Sequence, residues 1–251
     1  MRKELIATLS MLGSLAASGA AAAQTCATPP SCETLGFTKS ETDCDGLEAL
    51  KCPFDQSKLY CPQGGGNMSA AAPGAILYSD GTISDSVIAS KTPVGIVAYV
   101  NGSTGFAVAL TESNQTWGGY GYNVSCLGDM DSGAASADMN GRVNTQCLVG
   151  DSQTHPAANY CNTFSAVSSG KGSSGWYLPA AGELKAMSYS YGAINLGLQK
   201  LSKTQISSSY YWSSSEDYSN GYHAWVVRPS DGNVGNSNKF NSLRVRCVIA
   251  L

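Results

Sequence analysis

Charge is what this sequence has least of. Only 13% of its 251 residues are Asp, Glu, Lys or Arg, about half the share of an ordinary soluble domain. The chain is weakly acidic, with 15 basic and 18 acidic side chains. Such a surface argues against nucleic acid, which rewards clustered Lys and Arg. Histidine occurs twice, as His155 and His223, and no paired C-x-x-C is present, which argues against a zinc site. There is no G-x-S-x-G elbow, no metal-binding His pair and no phosphate loop, so no supported catalytic apparatus stands out. Beyond the N-terminus no apolar run is long enough to span a bilayer.

The N-terminus has the order of a secretory signal peptide. Arg2 and Lys3 open it, Leu5 to Ala17 is apolar, and Ala21-Ala22-Ala23 offers a small-residue cleavage site, giving a segment 1–23 removed on export. Taking Arg2, Lys3 and Glu4 away leaves 13 basic and 17 acidic residues, a net charge near −4. All nine cysteines lie in the exported part, where disulfides are the default. Cys26, Cys32, Cys44, Cys52 and Cys61 crowd residues 24–62, which read as a small disulfide-stapled unit, because about 40 residues rarely fold without staples. Cys126, Cys147, Cys161 and Cys247 are spread over the remainder. The odd count leaves one thiol to join a partner chain or a second copy. Residues 63–74, beginning Gln63-Gly64-Gly65-Gly66, read as a linker.

Residues 75–251 read as an α+β domain of short antiparallel strands, two helices and long loops. Val94 to Val100, then Asn101-Gly102, then Gly105 to Leu110 is a strong hairpin signal. Gln115 to Gly150 is irregular, with Trp117 and Tyr120 expected to fold back onto the core. Within it Asp129, Asp131, Asp138 and Asn140 have a calcium-loop composition without EF-hand spacing; structural calcium and ordinary Asx turns are the two readings. A helix is expected over His155 to Val167, with Pro156 in its first turn and His155 as a cap or surface residue. A second follows Pro179, with Glu183 in its early turns. Strands return at Tyr210 to Ser213 and Ala224 to Val227, a tight turn at Asp231-Gly232-Asn233, and a closing strand from Leu243 to Ala250.

Apolar anchors separated by Ser, Asn, Tyr and Gly mark the last third, which is how recognition surfaces are commonly composed. The residues read as an exported binding module rather than an enzyme. Candidate ligand contacts are Tyr210, Tyr218, Asn220, Tyr222, His223, Arg228, Asn233, Asn236, Asn238, Lys239 and Asn241. Trp212 and Trp225 read as core. Arg244 and Arg246 alternate along a strand, either to hold an anionic ligand or to pair with Asp or Glu.

Gly175-Trp176-Tyr177-Leu178-Pro179 with Glu183-Leu184, Tyr211-Trp212-Ser213-Ser214, Ala224-Trp225 and Arg244-Val245-Arg246 resemble the C-terminal domain of Lcl-type collagen-like adhesins. Asn140-Gly141-Arg142 with Asn144-Thr145 is similar to an upstream element of that group. The resemblance covers residues 75–251 and implies a C-type-lectin-like fold, surface adhesion and, in some members, binding of sulfated polysaccharides. It implies a disulfide from the first helix to the last strand, here Cys161 to Cys247, leaving Cys126 to pair with Cys147. The Glu-Pro-Asn, Gln-Pro-Asp and Trp-Asn-Asp motifs of calcium-dependent lectins are absent, so calcium-dependent sugar binding is not expected. Related folds include the formylglycine-generating oxidase, which keeps a lectin-fold oxidoreductase as a remote alternative.

Residues 209–243 also resemble the variable region of diversity-generating retroelement proteins, in which Asn, Ser, Tyr, Asp and Gly are scattered over one segment; the candidate positions are Tyr218, Asn220, Tyr222, His223, Val226, Arg228, Asp231, Asn233, Asn236, Asn238, Phe240, Asn241 and Leu243, and the alternative is a polar surface of ordinary composition. The partner is expected to be a glycan or a host or bacterial surface protein, the location secreted, periplasmic or cell-surface. The alternative is a structural subunit of a surface appendage, docked through the Cys-rich unit.

Overall fold

The computed structural model describes residues 50–51, 59–60, 72–101, 104–128, 130–217 and 221–251. The signal segment, Cys26, Cys32, Cys44, Cys52, Cys61, Asp129, Tyr218 and Asn220 lie outside the described residues. Within 24–62 the described part is a two-residue antiparallel ladder, β1 (Leu50–Lys51) with β2 (Leu59–Tyr60).

Two sheets organise the remainder. The first has six strands in the order β4-β3-β5-β6-β13-β8. Its centre is the expected hairpin, β5 (Pro93–Asn101) with β6 (Thr104–Ala109), antiparallel and carrying a bulge between Val97 and Tyr99. β3 (Ile76–Tyr78) and β4 (Ile83–Ser84) extend it on one side. On the other lie β13 (Val248–Ala250) and β8 (Trp176–Tyr177). The inner residues of β5 and β6 are buried without alternation, so these strands pack on both faces. The second sheet has five strands in the order β11-β10-β9-β12-β7: β11 (Asn233–Asn238), β10 (His223–Arg228), β9 (Tyr211–Asp217), β12 (Leu243–Val245) and β7 (Ser113–Gln115). Its one parallel contact sets Arg244 beside Tyr211.

The closing strand expected from Leu243 to Ala250 is two strands in two sheets. The break falls at Arg246 and Cys247, where the Arg246 guanidinium is held inside the fold. That group is buried, and it is satisfied by Glu112 Oε2 at 2.9 Å, Ala109 O at 3.1 Å and Thr204 O at 2.9 Å. Arg244 pairs with the other oxygen of Glu112. Of the two readings of these arginines, pairing with an acid is the one observed.

Five α-helices are described where two were expected: α1 (Ser132–Ala137), α2 (Gly141–Gly150), α3 (Pro156–Thr163), α4 (Ala181–Ala186) and α5 (Tyr191–Lys200), with a 3₁₀ turn at Met187–Ser190. α1 and α2 fall in the stretch expected to be irregular. α2 was hidden because its buried face includes Gly141, Asn144 and Thr145, polar or small residues that leave no apolar period. α3 stops four residues short of Val167. Two apolar clusters make the core. One gathers Trp117, Trp176, Leu178, Trp212 and the Cys161–Cys247 disulfide. The other gathers Ile76, Ile96, Leu184, Leu198 and Trp225. Cys126 pairs with Cys147, so both expected disulfides are present, with Cα–Cα spans of 5.9 Å for this pair and 5.2 Å for Cys161–Cys247.

Candidate functional site

The motifs that look most distinctive in sequence converge on one buried polar knot. The Asp138 carboxylate accepts from Asn140 N at 2.9 Å, Asn144 Nδ2 at 2.7 Å and Ser215 Oγ at 2.7 Å. Ser215 Oγ in turn accepts from Ala181 N at 3.0 Å. Thr145 Oγ1 donates to Gly141 O and accepts from Leu178 N. Glu183 accepts from Ala180 N at 2.8 Å, the half of a capping box that an alanine cap permits, and from the Tyr177 hydroxyl at 3.1 Å. A Cβ on Gly141 would stand 2.2 Å from Glu183 Oε2, so only glycine fits there. Burial, with smaller help from Asp138, pushes the Glu183 carboxyl up to about 7. These residues tie α2, α4, β8 and β9 together. Asp138, Asn144, Thr145, Glu183 and Ser215 are buried, and their side chains bond to one another and to backbone.

Of the calcium candidates, Asp131 and Asp138 have partners within the protein. Asp131 caps α1 by accepting from Ala134 N at 2.8 Å, and Asp138 makes an Asx turn to Asn140 N within the knot. Among the described residues no group of three His, Cys, Asp or Glu is placed to hold a metal.

Among the described residues, the candidate contacts do not form one face. Residues of β10 alternate sides, and the strand is six residues long, so its ends lie roughly 17 Å apart at ~3.3 Å per residue. At one end Tyr210 donates to Asn233 Oδ1 at 2.7 Å and carries Arg228 over its ring at 5.4 Å. Arg228 is also bound to Asp231, with Nη2–Oδ2 at 2.6 Å, which holds the Asp231 carboxyl below the usual range. At the other end His223 stands between Asp217 and Asn238, and Tyr222 leads into it. Asn236 reaches Asp217 Oδ2 at 2.7 Å, and Asn241 reaches Ser237 Oγ at 3.0 Å. Val226, a candidate for variation, is buried in the core.

Lys239, expected on the exposed face, is fully buried. Its ammonium pairs with the equally buried Glu216, donates to Tyr122 O at 2.5 Å and lies 4.8 Å from the centroid of Trp117. Glu216 also accepts from Val124 N at 2.8 Å. Trp117 donates to Ser213 O and meets His155 edge-on at 4.9 Å. His155 is buried too, at the N-cap position of α3, with Nε2 at 3.0 Å from Asp151.

Above this foundation three loops meet. Gly121 N donates to Gly221 O at 3.0 Å, Lys239 N to Tyr222 O at 2.9 Å, and Trp117 N to Lys239 O at 3.1 Å. The outer surface of the junction is aromatic. Tyr120 lies 5.0 Å from Tyr222 and 5.2 Å from Phe240, centroid to centroid. The three rings are 48%, 46% and 59% exposed. Tyr120 was expected in the core; Trp117 alone of that pair goes there. The signal for the loop is Gly118-Gly119-Tyr120-Gly121-Tyr122, whose three glycines all adopt positive φ. A Cβ on Gly118 would meet Thr154 O at 2.0 Å, so the loop turns tightly and projects its tyrosines.

A family model described as the Lcl C-terminal domain matches residues 122–249, just over half of the chain. The chain belongs to the Lcl C-terminal domain family. No curated protein matches the sequence. Among solved structures, this Lcl C-terminal domain protein is similar to a fimbrial protein from Bacteroides ovatus, with a TM-score of 0.55 and 19% identity over 71% of this chain. The match covers 48% of that protein, so the chain spans about half of its length. At this identity the likeness is one of fold. Among the described residues no helix is long and apolar enough to cross a membrane.

Proposed function

We propose that this Lcl C-terminal domain protein is an exported surface-recognition module that binds a glycan through Tyr120, Tyr222 and Phe240. The observation that carries the reading is the exposed ring cluster itself. Large exposed aromatic groups in mutual contact mark interaction sites on soluble domains. Aromatic side chains provide broad contact area at low entropy cost, and here the loops beneath them are pinned by backbone bonds and a buried ion pair. The exposed rings suit the apolar face of a sugar ring, with His223 next to Tyr222 in the chain and paired with Asn238.

The fold is read as C-type-lectin-like, supported by the tie from α3 to the last strands through Cys161–Cys247. The two disulfides among the described residues and the signal-like N-terminus support export to the periplasm or cell surface. Binding rather than catalysis is assigned, with no calcium in the contact. If residues 209–243 are diversified, Tyr222 and Phe240 are positions where variation would change binding without touching the core. A second reading, a subunit of a surface appendage, draws support from the shared fold with a fimbrial protein.

A glycan and glycosaminoglycan array with the exported protein, in calcium and in chelator, tests the proposal. Chelator-insensitive binding should be lost in Tyr120→Ala and Phe240→Ala and kept in Arg228→Ala, which lies at the far end of β10. Binding that survives both aromatic changes, or no binding at all, sinks the reading and directs the search to protein partners.

A further inference from the structure

We propose that the free edge of β11 pairs with β11 of a second copy of this chain, joining two five-stranded sheets into one continuous sheet across a two-fold axis at Gly235. This inference does not depend on the glycan reading.

β11 ends its sheet. Its six residues pair with β10 in unbroken register, from His223 with Asn238 to Arg228 with Asn233. Lys239 N donates to Tyr222 O in the next pair of that register, at 2.9 Å. In an antiparallel ladder hydrogen-bonded and non-bonded pairs alternate. Gly235 and Ser237 therefore bond to β10, while the N–H and C=O groups of Val234 and Asn236 point away from it. Among the described residues nothing accepts or donates to those outward backbone groups.

Natural sheets blunt their edges with short strands, lysines, prolines, inward charges or bulges. The other terminal strands here follow that rule: β4 and β8 have two residues each and β7 has three. β11 has the sequence Asn-Val-Gly-Asn-Ser-Asn, with no charge, no proline and no bulge. It is the one long strand edge left unprotected among the described residues, and an open edge accepts another strand.

A second copy is the occupant the edge fits. A neutral strand does not repel itself, and a two-fold symmetric contact uses one patch twice. With the axis at Gly235, Val234 faces the partner's Asn236 and Asn236 faces the partner's Val234, so the outward backbone groups satisfy each other. Gly235 then meets the partner's Gly235 as a non-bonded pair, where strands come closest, and neither copy has a side chain to obstruct it. A cleft of about 640 Å³ lies beside this half of the strand, between Gly232–Val234, Ser132 and Ser136 of α1, and Lys185 of α4. It leaves room there for the partner's Asn238.

The test is the mass of the exported full-length protein by size-exclusion chromatography with light scattering, over a concentration series. The expected result is a dimer whose population rises with concentration. Gly235→Lys should convert it to monomer without lowering Tm, since a Cβ at that position meets only ordinary contacts, Tyr210 Cε1 at 3.9 Å and Val226 Cγ2 at 4.0 Å. Gly235→Cys should give a disulfide-linked dimer on oxidation, because facing residues at an antiparallel crossing lie within disulfide reach; Asn233→Cys should not. A protein that stays monomeric throughout, or a dimer indifferent to Gly235→Lys, overturns the proposal. That second outcome includes one linked by the native odd cysteine. A monomer whose β11 captures a foreign extended peptide would likewise overturn the second copy as occupant.

Discussion

Lys239 and Glu216 meet as an ion pair with neither side chain exposed to solvent. The pair joins the last residues of β9 to the loop after β11, and through Tyr122 O and Val124 N it also fixes the loop that carries Tyr120. Removing one partner leaves the other charge buried and uncompensated. Lys239→Ala or Glu216→Ala is therefore expected to cost about 3–5 kcal/mol, read as a fall in denaturation midpoint. The double change Lys239→Met/Glu216→Leu should recover much of the loss. If the single changes leave stability intact, the pair is not the anchor described.

Glu183 makes stability depend on pH in an unusual direction for a carboxylate. Its folded pKa, about 7, lies above the ordinary value of 4.5, so the folded state holds the proton more tightly. Its contribution is fully present below pH 4.5 and is lost as pH rises towards 7, amounting to about 3 kcal/mol. The difference in unfolding free energy between wild type and Glu183→Gln, measured from pH 4.5 to 8, should shift against wild type by an amount of that order. A flat difference would show that Glu183 titrates as an ordinary carboxyl.

The two disulfides should not contribute equally. Cys161–Cys247 spans 86 residues and Cys126–Cys147 spans 21, which in the chain-entropy estimate correspond to ~4–5 and ~3 kcal/mol. Paired Cys→Ala replacements followed by denaturant titration should reproduce that order. The reverse order would point to differences in native-state packing instead of loop closure.

The hairpin of β5 and β6 was legible because Asn101-Gly102 sits between two apolar runs, and the tryptophans were legible because burying a large ring is their usual fate. The pairing of Cys161 with Cys247 was legible only through the family likeness. Lys239 was not legible: lysine is almost never fully buried unless paired, and its partner lies 23 residues upstream in a strand whose seven residues are all buried. Tyr210 and Tyr222 looked like members of one surface because a linear reading cannot show that they precede β9 and β10, whose antiparallel pairing sets them at opposite ends. Asp138 and Asn140 looked like calcium ligands for the same reason that hid α2. Buried polar networks resemble binding sites in composition, and only their hydrogen-bond partners tell the two apart.

The six-stranded sheet has a practical consequence for anyone dissecting this family. The family match begins at residue 122, yet β8 and β13 within it lean on β6, β5, β3 and β4 from residues 76–109. A fragment cut at the start of the match would expose the bonded edge of β13 and strip α5 of β5, the strand it packs against. Recognisable ancestry and autonomous folding have different borders here, and truncation series should be anchored to the second.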